Sequence, residues 1–252
     1  SAKTRAASII TSANSDLTAA FDSGRSDRDR VQRMATAWWL TGDMKYRDRV
    51  MAVMMNAQAN GEHTVKWEGL TISITAIGYD WLYPAWTATE RTTLSNYLIN
   101  SGINSVSNNY GNNIGIINDG GWIMSSLAVG LLSEAKAESA ISKAVGQVVG
   151  KVDEFSANNG AWLEGTDYGI FAKWGFSPAV ESMDTALGST FGIGRLQGLW
   201  TARREPLTIA SNTRQRFTFS DVGTGSHNAV GWANWWARRY DALEVYDFSR
   251  QV

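Results

Sequence analysis

The sequence predicts an all-α protein of 252 residues in which consecutive helices pair as hairpins. Apolar residues recur at helical spacing almost throughout, and short breaks join successive helices. One stretch, residues 216–219, alternates in the manner of a short strand. Because no linker rich in Pro, Gly or Ser interrupts residues 1–252, we expect a single domain. A ring of helical hairpins fits this pattern, and so does a plain helical bundle.

The first two predicted helices form an antiparallel hairpin. Residues 26–41 open with Ser26 and Asp27 as candidate N-caps, and their apolar residues fall on one face. Residues 43–59 follow after a short break, with Asp43 as the expected N-cap.

The remaining helices follow the same rules. Residues 70–81 precede a proline, and Thr87 is expected to cap the next helix, 87–100, with Glu90 completing a capping box. Further helices are predicted over residues 118–132, 134–155 and 167–187, near 193–203, and over 228–240.

Composition excludes several classes of function. The formal net charge is −1, with 23 basic and 24 acidic residues and no long run of either sign, so we expect no nucleic-acid or membrane partner. No apolar stretch approaches the roughly 20 residues of a membrane helix, which predicts a soluble protein. Cysteine is absent and only His63 and His227 could supply imidazole, so we expect no metal and no cofactor.

The composition also suggests an exported protein. Only 19% of the residues are charged, and the sequence starts at Ser1 without a signal-like segment. We therefore expect a secreted or periplasmic protein whose signal peptide has already been removed.

Three loops combine Asn and Gly with aromatic and acidic residues: 108–122, 158–174 and 217–232. In the second loop Glu164, Tyr168 and Phe171 stand at i, i+4 and i+7, so a helix starting there would place them on one face. The chain also has 12 Trp, more than a core of this size usually needs, and sugar rings stack on flat aromatic faces. The first loop also fits a plain Asn/Gly-rich connector, and the single Tyr of the second loop also fits a core position.

Taken together, five motifs in this order resemble those of the heparinase II/III-type polysaccharide lyases. The resemblance covers most of the chain from about residue 26 onward. The motifs are TGDMKYRDR (41–49), YDWLYP (79–84), NNIGIINDGG (112–121), GAWLEGTDYG (160–169) and FTFSDVG (217–223).

The resemblance implies an incomplete (α/α) toroid with a cleft across one end. It also implies β-elimination on an anionic, uronic-acid-containing polysaccharide. In that family a Tyr of the EGxxY element is the general acid and often also the base. The corresponding residue in this sequence is Tyr168. An Asn at the start of the Asn/Gly-rich helix neutralises the uronate carboxylate, which falls on Asn113, with Asn112 as the close alternative.

The chemistry of elimination supports these roles. A proton next to a carboxylate is hard to remove unless hydrogen-bond donors, such as an Asn amide, stabilise the charge that spreads onto the carboxyl oxygens. The reference pKa of tyrosine, about 10, must fall for a base role, which requires a nearby cation or several donors. Lys173, Arg214 and Arg216 are the candidate cations.

Further residues are expected at the cleft because of their positions beside the motifs. The substrate-binding candidates are Asn112, Trp122, Glu164, Lys173 and Trp174. His227, in the loop after FTFSDVG, is the candidate for a second base or carboxylate ligand.

The sequence departs from the family in two ways. Ile114 occupies a position where many relatives have His or Trp. Relatives usually continue into a β-sandwich domain, which these 252 residues do not contain. We expect either a β-sandwich domain or chain as a partner that completes the cleft, or a compact single-domain form of the enzyme.

Two other functions fit the sequence. An (α/α)-toroid glycoside hydrolase would use a pair of carboxylates, for which the material is Asp80, Asp119, Glu164, Asp167 and Asp221. A non-catalytic carbohydrate-binding domain would need neither Tyr168 nor a carboxylate pair.

Overall fold

The computed structural model describes residues 2–22, 24–60, 68–107, 111–130, 134–157, 162, 166–193 and 238–239. These residues contain eight α-helices and no strand, which confirms the all-α class for the described part of the chain. The helices are α1 (Ala2–Asp16), α2 (Arg25–Thr41), α3 (Met44–Asn60), α4 (Glu68–Trp81), α5 (Ala88–Tyr97), α6 (Asn113–Val129), α7 (Glu134–Ala157) and α8 (Thr166–Leu187).

The hairpin of α2 and α3 forms as predicted, with one correction. Asp43 caps α3, since its Oδ1 accepts a hydrogen bond from the Lys45 N–H at 3.1 Å. The caps predicted for α2 are wrong because Gly24 precedes the helix, which places Ser26 and Asp27 within its first turn. The buried Asp27 carboxylate instead accepts the N–H of Asp22 at 2.9 Å.

The predicted capping box of α5 is present. The Thr87 hydroxyl accepts the N–H of Glu90 at 3.3 Å, and the Glu90 carboxylate accepts the N–H of Thr87 at 2.8 Å. The helix continues into a π-helical turn, Leu98–Ile103, where Gly102 lies against the side chain of Ser125. A Cβ at Gly102 would lie only 2.7 Å from the Cβ of Ser125, so this contact requires glycine.

The chain divides into two compact units, and two of the three boundaries between them fall inside α6 and α7. Unit 1 comprises residues 1–107 and 121–142, and unit 2 comprises residues 108–120 and 143–252. The core of unit 1 is mainly aliphatic and includes Met34, Val50, Met54, Ile72, Ile74, Leu82 and Leu94. Among the described residues it also contains four buried aromatic side chains, Tyr46, Tyr79, Trp86 and Trp122.

Glycines allow helices of unit 1 to approach closely. A Cβ at Gly121 of α6 would lie 2.6 Å from the Cα of Gly69 in α4, a separation that no side chain can occupy. Gly78 of α4 contacts Met54 of α3 in the same way. These contacts fix α4, whose residues 69–79 are all buried, between its neighbours.

Several predicted elements lie outside the described residues. These are the helix near 193–203, the helix over 228–240 apart from residues 238–239, and the strand at 216–219. Within the described ranges, no helix combines the length and the apolar character needed to cross a membrane.

Candidate active site

The start of α6 presents two adjacent asparagines in different environments. Asn112 is the N-cap, because its Oδ1 accepts the Gly115 N–H at 3.3 Å and its carbonyl accepts the Ile116 N–H at 3.2 Å. Asn112 is partly exposed, whereas Asn113, the first residue of the helix, is only 1% exposed. Asn112 is therefore the amide that solvent reaches, and Asn113 belongs to the buried face.

Tyr168 lies in the first turn of α8 and is partly exposed. Two further aromatic residues follow at three-residue intervals, Phe171 and Trp174, and both are partly exposed. Their rings are parallel, with centroids 5.3 Å apart and planes 8° apart. The first turns of α8 thus present an aromatic stripe, while the buried residues Ala172, Gly175, Phe176 and Ala179 face the interior.

Within unit 2, α6 and α8 pack through two glycines. A Cβ at Gly120 would lie 3.0 Å from the carbonyl oxygen of Gly175 and 3.7 Å from the Cα of Phe176. A Cβ at Gly175 would overlap the Cγ1 of Ile117 and lie 3.2 Å from its Cβ. This contact fixes the helix that begins with Asn113 against the helix that carries Tyr168.

Lys173 of α8 is buried, with 2% of its surface exposed. Burial lowers the pKa of this amine well below its ordinary value, because the charged form loses hydration. A lowered pKa reduces the fraction of Lys173 that carries a positive charge. Lys173 therefore lacks the properties expected of the cation beside Tyr168 or of a carboxylate-binding residue on an open surface.

A second buried lysine in unit 2 forms an ion pair. The Nζ of Lys151 in α7 lies 2.5 Å from the Oδ2 of Asp119 in α6, and both side chains are buried. Burial lowers the pKa of Lys151, although the nearby Asp119 carboxylate acts in the opposite direction. The sequence suggests Asp119 only as a candidate carboxylate. It does not suggest Lys151, because no motif or spacing distinguishes this lysine from the other polar residues of α7.

Other predicted site residues are placed differently. Trp122 is fully buried in unit 1, so neither face of its indole is available to a sugar ring in this structure. Glu164 and His227 lie outside the described residues, as do Arg214 and Arg216. Among the residues that the structure describes, no three His, Asp or Glu side chains are arranged to hold a metal ion.

No protein-family model matches the chain, and no curated protein matches its sequence.

Proposed function

We propose that this chain is a polysaccharide lyase that cleaves a uronic-acid-containing polysaccharide by β-elimination. The observation that carries the proposal is the packing of α6 on α8 within unit 2. One of these helices begins at the paired asparagines and the other carries the partly exposed Tyr168 in its first turn. The ordered motifs of the sequence support the same assignment.

In the proposed reaction an asparagine amide donates hydrogen bonds to the uronate carboxylate. The start of α6 strengthens this interaction, since the N-terminal end of a helix favours negative charge. The carboxylate can then accept the electron density that develops when the neighbouring carbon loses its proton.

Tyr168 is the proposed proton carrier. Its phenolate oxygen takes the proton from the carbon beside the carboxylate, and the electron pair of that C–H bond forms a carbon–carbon double bond. The bond from the next carbon to the glycosidic oxygen breaks, and Tyr168 returns the proton to this leaving oxygen. The products are an unsaturated uronate and a new chain end, and no water is consumed.

The aromatic stripe of α8 supports a polymeric sugar as substrate. Phe171 and Trp174 hold their rings parallel and partly open to solvent, one and two turns after Tyr168. Flat apolar faces of this kind can stack on sugar rings beside the bond that is cut. Uronic-acid polymers are extracellular materials, so the proposal includes a secreted or periplasmic location.

The first test is ultraviolet absorbance of the unsaturated product on alginate, heparan sulfate, chondroitin sulfate, hyaluronan and glucuronan. Tyr168→Phe keeps the ring but removes the hydroxyl, and it should lower the rate by about 100-fold or more, the usual range for losing a general acid or base. Tyr46→Phe is the matched control, because it also removes one tyrosine hydroxyl, which here donates to Asn14 Oδ1 at 2.9 Å in unit 1. It should leave the rate unchanged.

Other outcomes would redirect the proposal. New reducing ends without ultraviolet absorbance would indicate hydrolysis. If this activity is lost when a carboxylate is removed but kept in Tyr168→Phe, the protein is a hydrolase. The buried pairing of Asp119 with Lys151 already makes Asp119 a poor general acid for that reaction. Polymer binding without either product would indicate a carbohydrate-binding domain.

The two asparagines can be separated by substitution. We expect Asn113→Ala to reduce elimination by about 100-fold if its amide binds the carboxylate, a loss comparable to that of one oxyanion donor. Asn112→Ser keeps a capping oxygen for α6 while removing the amide. A larger loss in Asn112→Ser than in Asn113→Ala would transfer the role to Asn112, the residue that solvent reaches.

A further inference from the structure

Unit 1 carries an exposed aromatic surface at the end where α2 and α4 terminate. It consists of Trp39 (62% exposed), Trp81 (40% exposed) and Tyr83 (44% exposed). Leu40 and Met44, which follow Trp39 in the chain, are exposed as well. Single exposed apolar residues are common, but a group of large ones usually marks an interaction site.

Two of the three rings of this aromatic surface, those of Trp39 and Tyr83, are held in place without a ligand. The Trp39 indole N–H donates to the carbonyl oxygen of Trp81 at 2.7 Å, and its ring packs edge-on against Trp38 at 5.0 Å between centroids. The Tyr83 ring packs edge-on against Tyr79, with centroids 5.5 Å apart. Rings fixed in this way lose little conformational freedom when a ligand stacks on them, so binding costs less entropy.

Two charged side chains accompany the rings. The Arg91 guanidinium lies 4.2 Å over the Tyr83 ring, and its Nε donates to the Tyr83 carbonyl at 3.2 Å. Asp80, beside Trp81 in the last turn of α4, is exposed. Among the described residues, neither Asp80 nor Arg91 forms an ion pair.

This combination favours a carbohydrate over a protein partner. A carboxylate and a guanidinium each offer paired hydrogen-bonding atoms that match neighbouring hydroxyl groups on a sugar ring. A protein that covered the same surface would have to remove both charges from water, and the centres of protein interfaces are depleted in charged residues. Rigid aromatic faces flanked by such groups suit a ligand that is flat on one side and rich in hydroxyls at its edge.

We propose that the aromatic surface of Trp39, Trp81 and Tyr83, which belongs to unit 1, binds a polysaccharide chain. The residues proposed for cleavage belong to unit 2. The choice of ligand class rests in part on the proposed function, since the rings alone would accept other flat apolar molecules. The surface would hold the protein on its polymer while cleavage takes place at Tyr168.

The test is affinity electrophoresis of the full chain in gels containing alginate, hyaluronan or a neutral glucan. The protein carries Tyr168→Phe, so that cleavage does not remove the polymer. At least one polymer should retard this protein, and Trp39→Ala and Trp81→Ala should each weaken binding by about tenfold, as expected for losing one aromatic contact. Phe191→Ala, which removes an exposed aromatic residue of unit 2, is the matched control and should not change the retardation.

Three results would overturn the inference: no retardation by any polymer, retardation that Trp39→Ala and Trp81→Ala leave unchanged, or self-association that these substitutions abolish. Circular dichroism should show that each variant keeps its fold. The two proposals fail separately. If the polymer retards the protein but the chain with Tyr168 intact forms no unsaturated product, the binding surface is retained and the lyase activity is rejected. If the chain cleaves the polymer but is not retarded, the lyase activity is retained and the binding surface is rejected.

Discussion

Replacing Gly175 by alanine tests the contact that fixes α8 against α6. The added Cβ would overlap the Cγ1 of Ile117 and lie 3.2 Å from its Cβ and 3.4 Å from its Cα. Carbon atoms pack best at about 3.5–4.0 Å, so α8 must withdraw by about half an ångström. Ile117 cannot easily rotate away, because a β-branched side chain in a helix has one strongly preferred rotamer.

The expected magnitude follows from two opposing effects. Overpacking a well-packed contact costs about 1–3 kcal/mol, and replacing a helical glycine by alanine returns about 1 kcal/mol. Gly175→Ala should therefore lower the free energy of unfolding by up to about 2 kcal/mol, with about 1 kcal/mol as the central value. Gly146→Ala is the matched control in α7, where an added Cβ would have no atom within 4 Å. It should stabilise the protein by about 1 kcal/mol.

Thermal unfolding followed by circular dichroism measures both changes. For a chain of this size the two substitutions should shift Tm in opposite directions, each by about 2–4 °C per kcal/mol. Elimination activity should fall by about tenfold in Gly175→Ala, because a 1 Å displacement of a catalytic group can cost about 100-fold. A Gly175→Ala protein as stable as Gly146→Ala would refute the close contact between α6 and α8.

Three further predictions concern stability. Thr87→Ala should cost about 1 kcal/mol in urea unfolding, because the capping box of α5 is lost; no change would show that the cap does not form. Burial alone would raise the pKa of Glu90, but hydrogen bonds from Thr87 and the Arg47 ion pair hold it below its usual value. The stability that Glu90 contributes is therefore fully present above the pKa of this residue in the unfolded chain. It is lost as the pH falls through the lowered pKa of the folded state. In acid, Tm should thus depend on pH less steeply in Glu90→Gln than in the wild type. Lys151→Met should lower the free energy of unfolding by about 3–5 kcal/mol, because it removes the cation that pairs with the buried Asp119 carboxylate. The control Lys136→Met, at an exposed position, should change the free energy of unfolding by less than about 0.5 kcal/mol.

Local signals allowed much of the fold to be predicted. The N-cap at Asp43 and the capping box of Thr87 and Glu90 depend on residues within one turn, so the sequence alone identifies them. Helix α1 was missed because only Ala13 and Asp16 of its residues are buried, which leaves almost no apolar face to detect. Helix α6 begins at Asn113, five residues before the predicted start, because its Asn- and Gly-rich first turns resemble a loop.

The candidate site was predictable in its residue types but not in its environments. The burial of Asn113, Lys173 and Trp122 depends on helices that lie far away in the sequence, and no local pattern distinguishes these side chains from exposed ones. The contact of Gly175 with Ile117 likewise joins residues 58 positions apart. The sequence motifs therefore suggest Tyr168 and the two asparagines as candidates, and the structure shows that Tyr168 and Asn112 are partly exposed whereas Asn113 is buried.

The Glu90 carboxylate belongs to two interactions at once. It accepts the N–H of Thr87 at the start of α5, and it also pairs with Arg47 of α3, whose guanidinium lies 4.6 Å from the Trp86 ring. Substitutions at Thr87 and Arg47 should consequently be non-additive, since either one frees the same oxygen atoms to rearrange. The first turn of α5 would then reach its full stability only after α3 has packed against it. The formation of this cap during folding therefore depends on a contact between residues that are 43 positions apart in the sequence.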